Sequence, residues 1–500
     1  MAERGSDYTT DVVYPSAFGA FQSPAHLVQA AWTGGRAAPR IDRPFTYADL
    51  GSGVGLTLCV LADCYPDAEF HGVDINPEHI RQSRDLARRA GLTNVTFHEA
   101  SFADLGRLAI PRLDFAGLSG IYSWLPPELR SACMAFLGQR LAPDGAVFLH
   151  YAALPGNAQI DALYALIREV AAGLPGDSVE RFRAACAVIG RLRKAQARFF
   201  RVNPQADAWF GQIESQDPRG MAHEVLNARS LSLSARDAAD EAAPHGLAYV
   251  ANAQLELNDL QLTAPDALRA DLQGLAPTAR EMLMDAVRNT HSRMDVMMRA
   301  DAPPATAPPP MWVDRLTRGP LTAERRDLSG RTGVDLGAAP YGAVLERVDG
   351  QAARLADVLA DPRLGAGAAQ TVQRLAALKL VHLLPRPYAD APAGKSRIAS
   401  RLNALVLDEA IDSAGPMPFA SPVAGTQVLL PPQDRLALLH LVDGDFDAAW
   451  ARLAKAGQVA RMDGQAIAGA EALHAAAARR AQAIGPAMTL QLGRLGILGA

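Results

Sequence analysis

The chain has 500 residues, of which 49% are hydrophobic and 20% charged, with a formal net charge of -4 at pH 7. These values suit about three folded domains, exclude a disordered class and give no ground for a nucleic-acid binder built on phosphate contacts. No stretch reaches the roughly 18 consecutive apolar residues of a membrane helix and the opening residues lack an apolar core of signal-peptide length, so a cytoplasmic protein without membrane insertion is expected.

In chain order, a lead-in punctuated by Pro and aromatic residues, "DVVYPSAFGAFQSPAHLVQAAWTGG", runs into a helix that should start at Pro24 and stop at Gly34-Gly35. From residue 45 to 150 strand and helix signals alternate. "FTYADL" reads as a strand, "LTLCVLADCYP" as a helix and "EFHGVDI" as a second strand. "PEHIRQSRDLARRAGL" is a helix capped at Gly91, and "VTFHEA" a third strand. "LDFAGLSG" follows as a fourth strand, then "PPELRSACMAFLGQRLAPDG" as a helix ending at Gly145, and "AVFLHYAA" as a fifth strand. Such alternation argues for parallel βαβ units in an open, doubly wound sheet.

Residues 157–204 read as amphipathic helices, whose apolar faces need either the sheet's flank or the same helices of a second subunit; a homodimer is expected. Residues 205–300 mix helices with a short strand and form a middle domain. The proline-dense "RADAPPATAPPPMW" opens a stiff linker, set at 301–330. Residues 331–500 are mostly helical, with three helices and a strand in winged-helix-like succession. The candidate recognition helix there offers only Arg374 and Lys379 as basic residues, too few for a DNA reader. The fold class is therefore α/β, a Rossmann-like doubly wound sheet over residues 1–156, followed by mostly helical α+β domains.

The four cysteines, Cys59, Cys64, Cys133 and Cys186, have no metal spacing and read as small buried hydrophobes. "HEVLN" at 223–227 lacks the second His of a helical zinc site, since Asn227 stands there. His223 is read as a hydrogen-bonded structural residue, and no metal is expected.

The chemistry concentrates in "YADLGSGVGLTLCVLADCYPDAEFHGVDINP", residues 47–77. A glycine turn between a strand and a helix lets backbone approach a ligand closely. A carboxylate at the end of the next strand, Asp74, suits the hydroxyls of a ribose. The spacing is G-x-G-x-G at Gly51, Gly53 and Gly55, with Asp49 in front, and not the dinucleotide G-x-G-x-x-G. An acid beside the turn is poorly placed for a pyrophosphate and well placed for an amino-acid ammonium. A ligand with an amino-acid end, a ribose and a base is S-adenosylmethionine. The expected cofactor-binding residues are Asp49, Gly51, Ser52, Gly53, Gly55, Asp74 and Ile75.

The stretch resembles the first two motifs of the class I methyltransferases. The resemblance implies that "EASFADL" supplies the adenine-contacting loop through Ser101 and Phe102, and that Ser119 and Gly120 line the cofactor cleft. "GIYSWLPPELR", "HYAALPGN", "QDPRGMAHEVLN" and "ARDAADEAAPHGLAYVANAQL" are similar to a narrower group, bacterial methyltransferases with a methyltransferase regulatory domain. That group includes protein lysine methyltransferases acting on outer-membrane proteins. The chain departs from many of its members at Ser119 and Ala152, near the methyl-transfer pocket.

Tyr122, Trp124 and Tyr151 fall at the ends of the fourth and fifth strands, where an acceptor pocket would open; they are the candidate catalytic residues. Three readings follow. The chain methylates lysine in a protein substrate, or it methylates a small molecule, or it senses the cofactor without turnover.

Overall fold

The structure, a computed structural model, describes residues 9–499 except 16–17, 214, 228–230, 316–324, 328–332, 336–338, 393–395, 414, 457–460 and 463–464. Its centre is a seven-stranded sheet. The strands are β1 (Thr46–Leu50), β2 (Glu69–Asp74), β3 (Val95–Glu99), β4 (Leu113–Leu118), β5 (Leu141–Ala152), β6 (Leu247–Asn252) and β7 (Ser292–Arg299). They lie in the order β3-β2-β1-β4-β5-β7-β6. β1 to β5 are parallel, and β7 is antiparallel to both of its neighbours. The order reverses between β1 and β4, and a ligand cleft opens at the carboxyl ends of strands at such a point.

The helices of this core are α1 (Pro24–Thr33), α2 (Leu56–Cys64), α3 (Pro77–Ala90) and α4 (Pro127–Arg140). α3 carries its signals in its sequence. Asn76 accepts the N–H of Glu78 at 2.9 Å, Pro77 opens the first turn, and Gly91 closes the helix at φ +71°. α4 ends earlier than its apolar pattern suggests. Pro143 cannot sit inside a helix and biases Ala142 towards extended backbone, so β5 begins at Leu141, which pairs with Leu113. Gly145, expected as the helix stop, lies within β5. A Cβ there would come 2.6 Å from the Leu141 side chain.

Residues 247–252 and 292–299, read from the sequence as parts of a separate middle domain, are β6 and β7 of the central sheet. They extend it beyond β5. The helical unit between β5 and β6 includes α5 (Ala158–Ala172) and α6 (Ser178–Lys194) with helices 204–213 and 218–225. α6 starts at a capping box formed by Asp177 and Glu180. The apolar faces of these helices meet one another through Leu163, Ile167, Phe182, Ile189, Phe210 and Val225. The faces that called for a partner are thus covered largely within the chain.

The Pro-rich stretch expected as a stiff linker is stitched to the turn after α1. The N–H of Ala37 donates to Pro303 O and that of Ala305 to Gly35 O. Beyond it, strand 312–315 pairs with 353–354 and 381–384, and helices 339–347, 355–359 and 368–377 pack beside them. Arg374 is engaged internally, donating to Asp259 at 2.6 Å and to Tyr341 at 2.7 Å. One apolar core runs from Leu58 and Val60 of α2 to Phe419 and Leu438. Among the described residues, no helix is long and apolar enough to cross a membrane.

Arg293, on β7, is 1% exposed. It donates to Asp285 at 2.8 Å, to Glu281 at 3.0 Å and to Asp295 at 2.9 Å. The Tyr151 hydroxyl of β5 donates to Asp295 at 2.7 Å. Burial pushes the Asp285 and Asp295 carboxyls up even with the guanidinium beside them. Removing the cation would strand three carboxylates in the interior. Arg293→Met is expected to lower unfolding stability by about 3–5 kcal/mol, read as the midpoint of denaturant unfolding; an unchanged midpoint would contradict the account.

Candidate functional site

The glycine turn leaves β1 and folds back on β2. The N–H groups of Gly51 and Ser52 both donate to Val73 O, at 2.7 and 3.1 Å. Gly51, Gly53 and Gly55 have φ of +86°, +53° and +77°, a region that L side chains rarely enter. A Cβ on Gly51 would stand 2.9 Å from Ile121, and one on Gly55 2.7 Å from Ser83. A Cβ on Gly53 would meet nothing within 4 Å, so this residue faces open space.

Asp74 is more committed than the sequence suggests. Its Oδ2 accepts the N–H of Gly53 at 2.9 Å. Its Oδ1 accepts the N–H of Asn76 at 2.9 Å and lies 3.2 Å from Nδ1 of His79. The N–H of Tyr14 donates to Nε2 of His79 at 3.1 Å, which places the imidazole proton on Nδ1, towards Asp74. A carboxylate offers about four acceptor positions. Three are used, so Asp74 has room for one further donor and not for the two hydroxyls expected.

Asp49 is the opposite case. It is 3% exposed, and its Oδ1 has no hydrogen-bond partner. Burial, and then repulsion from Asp74, pushes its carboxyl up to about 7. Gln22 Oε1 is likewise buried without a partner. Both atoms border Gly117, the β4 residue that pairs with Asp49. A Cβ on Gly117 would come 2.5 Å from Gln22 Oε1 and 3.2 Å from Asp49 Oδ1. Two unpartnered acceptors beside a bare turn fit the ammonium of an amino-acid ligand. Gln22 carries no motif, and only its place in the lead-in before α1 marks it in the sequence.

The other expected cofactor residues sit at the same ends of the strands. Ile75 is 41% exposed. Phe102 is half-buried, and Ser101 accepts the N–H of Ala103 at 3.3 Å, capping a short helical turn. Ser52 Oγ is buried without a partner. Ser119 and Gly120 follow β4 and are half-buried.

Gly120 also borders a cavity of about 500 Å³ whose walls include Tyr14, Trp124, His150, Tyr151, Tyr164, Trp209, Asp161 and Glu224. Trp124 and Tyr151 therefore line it, although the Tyr151 hydroxyl is turned to Asp295. Tyr122 is a correction. It is 0% exposed and lies in the core, with its hydroxyl donating to Glu241 at 2.6 Å and the Arg130 guanidinium over its ring. His150 opens the stretch "HYAALPGN" but was not read as a site residue; burial holds its imidazole below the usual value. Tyr164 and Trp209 come from the helical unit and were not legible as site residues. His223 behaves as the structural residue read from the sequence, paired with Val12 O at 2.7 Å.

Residues 41–115 match the family described as a methyltransferase domain, and residues 217–299 match a predicted methyltransferase regulatory domain. The chain is 30% identical over 293 residues to an uncharacterised protein of Synechocystis sp., covering 58% of each. It is 30% identical over 166 residues to a trans-aconitate 2-methyltransferase of Methylobacterium nodulans, covering 33% of this chain and 55% of that one. The chain spans about half the length of the first curated relatives, 58% and 52%. PKMT2 from Rickettsia typhi, solved in complex with AdoHcy, superposes with a TM-score of 0.68 at 16% identity, covering 97% of this chain and 99% of that one. The fold is that of the class I methyltransferases, and the regulatory-domain match extends to the end of β7.

A carboxyl held near 7 opposes folding when it ionises. Its folded value lies above the unfolded 3.8, so its contribution is fully present below pH 3.8 and is lost as pH rises through 7. Asp49→Asn removes that ionisation. The variant is expected to unfold at a higher denaturant midpoint than the parent at pH 8, by at most about 4 kcal/mol. The gap should shrink as pH falls below 7 and close below pH 3.8.

Proposed function

We propose that this chain is an S-adenosylmethionine-dependent methyltransferase whose acceptor is an amine, the lysine side chain of a protein. The observation that carries the cofactor assignment is Asp49. A buried carboxylate without a partner, set beside a glycine turn open at Gly53, is what an amino-acid ammonium would complete. Asp49 and Gln22 would hold that ammonium. The backbone of Gly51 to Gly53 would flank the amino-acid portion, Asp74 would take one ribose hydroxyl, and Ile75 and Phe102 would cover the base. When bound, S-adenosylmethionine supplies an electrophilic methyl carbon.

The chain's own residues must deliver a neutral nucleophile. A lysine with the ordinary pKa of about 10.4 is neutral in only about one molecule in a few thousand at pH 7. A cavity walled by Tyr14, Trp124 and Trp209 strips water from the ammonium and favours the neutral amine. His150 faces that cavity with its imidazole value lowered by burial, so it is neutral at pH 7 and adds no positive charge against an incoming ammonium. Alignment of the reacting atoms is the larger part of the task.

The cavity's size supports a second reading. About 500 Å³ is within the range that holds a whole small molecule, so a free amine is the alternative acceptor. Incubation with methyl-tritiated cofactor and cell extract separates the two. Label in protein, recovered as methyl-lysine after hydrolysis, supports the first reading, and label confined to small molecules supports the second. No binding of cofactor in calorimetry would sink both.

Two binding predictions follow from the cradle. Because Asp49 must be ionised to hold an ammonium and titrates near 7, cofactor affinity should fall as pH drops below 7, approaching tenfold per unit. It should also decline above about 8, where an α-amino group loses its own proton. Calorimetry in buffers of different ionisation enthalpy should show proton release on binding at pH 6. Gly53→Val should fold yet lose binding by more than tenfold, because a branched side chain would occupy the open face of the turn; normal binding would show that the turn does not hold the cofactor.

A further inference from the structure

We propose that Glu224, within the segment matching the methyltransferase regulatory domain, is the residue that selects a cationic acceptor, its carboxylate holding an alkyl-ammonium group inside the aromatic cavity. This rests on the methyltransferase reading and adds the charge class of the acceptor and the residue that reads it.

The cavity's charge is one-sided. Asp161 and Glu224 are among its lining residues, which include no Lys or Arg. Five of them are aromatic, Tyr14, Trp124, Tyr151, Tyr164 and Trp209, and aromatic faces attract cations through the ring quadrupole. An acceptor that arrives neutral or anionic would find no complementary charge, whereas an ammonium is held here before it sheds the proton that methyl transfer requires it to lose.

Of the two acids, Glu224 is the one left uncompensated. Asp161 accepts the Ser232 hydroxyl at 2.9 Å and feels the charge of Arg168. Glu224 forms no ion pair among the described residues. Its recorded partner is the Tyr164 hydroxyl, at 3.0 Å. Tyr164 in turn accepts the indole N–H of Trp209 at 2.9 Å, so its single proton is committed to Glu224. The three residues form a chain that orients one carboxylate between aromatic rings. Burial raises the Glu224 carboxyl, and a cation arriving beside it restores the ionised form. The group is therefore held at a cost that the right ligand removes.

Glu224→Gln isolates the charge, because glutamine keeps the size and still accepts the Tyr164 hydroxyl. The probes are choline and its uncharged isostere 3,3-dimethylbutan-1-ol, titrated into the full chain and followed by tryptophan fluorescence. Choline carries its charge at every pH, and no cofactor is needed. The parent should prefer choline by tenfold or more. Glu224→Gln should lose that preference while keeping the parent's unfolding midpoint, and Asp161→Asn should keep the preference. Equal binding of the two probes, binding of neither, or a preference that survives in Glu224→Gln would overturn the proposal. Failure of the methyltransferase reading would show separately, as absent cofactor binding with the choline preference intact.

Discussion

One buried guanidinium underlies the geometry of the site. Arg293 sits on β7 between β5 and β6, and its three carboxylate partners come from β7 itself and from the helix at Pro277–Arg288. The same network receives the Tyr151 hydroxyl, and Tyr151 lines the cavity beside Gly120. A cation surrounded in this way cannot be dropped or moved singly without leaving charge uncompensated. The position of β7 against β5, and with it the cavity wall made by His150 and Tyr151, is therefore fixed by electrostatics as much as by sheet pairing.

Two other carboxylates are treated differently. Asp49 and Glu224 are both pushed up by burial, and neither has a salt-bridge partner among the described residues. A protein that satisfied every buried charge would have no reason to bind a cation at these places. Strain of this kind concentrates where a ligand relieves it. Asp49 faces the expected ammonium of the cofactor, and Glu224 the expected ammonium of the acceptor. On the proposed reading, each would draw one cationic group, and Gly120 borders the cavity that Glu224 lines.

The glycine turn and the two acids beside it were legible in the sequence because they are local. Asp49, Gly51, Gly53 and Gly55 belong to one turn, and Asp74 ends the next strand, so spacing along the chain fixes spacing in the fold. The parallel sheet was legible for the same reason, through alternating patterns that repeat over short distances. Of the cavity walls, only Trp124 and Tyr151 were read from their strand ends. Tyr164, Trp209 and Glu224 come from three helices whose packing depends on an apolar core that no motif announces. Tyr122 shows the converse. Its place at a strand end suggested a pocket, but its hydroxyl found Glu241, 119 residues away in sequence. The expected stop at Gly145 failed because Pro143 dictates where α4 must end. The two-hydroxyl reading of Asp74 missed backbone donors that only a folded turn presents.

The placement of β6 and β7 bears on what a regulatory segment can mean here. A detachable regulator would dock on a finished sheet through side chains and leave that sheet whole when it departs. Residues 217–299 instead include two strands of the sheet, and β7 lies directly on β5, pairing from Ala146 to Ala152. Their removal would bare a strand edge in the middle of the core, which proteins avoid. The segment also brings Glu224 to the cavity and, through His223 and Asn227, holds the lead-in at Val12 and Thr9. That lead-in carries Tyr14, whose N–H reaches His79 and through it Asp74. One segment thus lines the cavity directly through Glu224 and reaches Asp74 through hydrogen bonds joined by the backbone of the lead-in. The segment is therefore part of the sheet and of the cavity wall, and it anchors the lead-in that reaches Asp74.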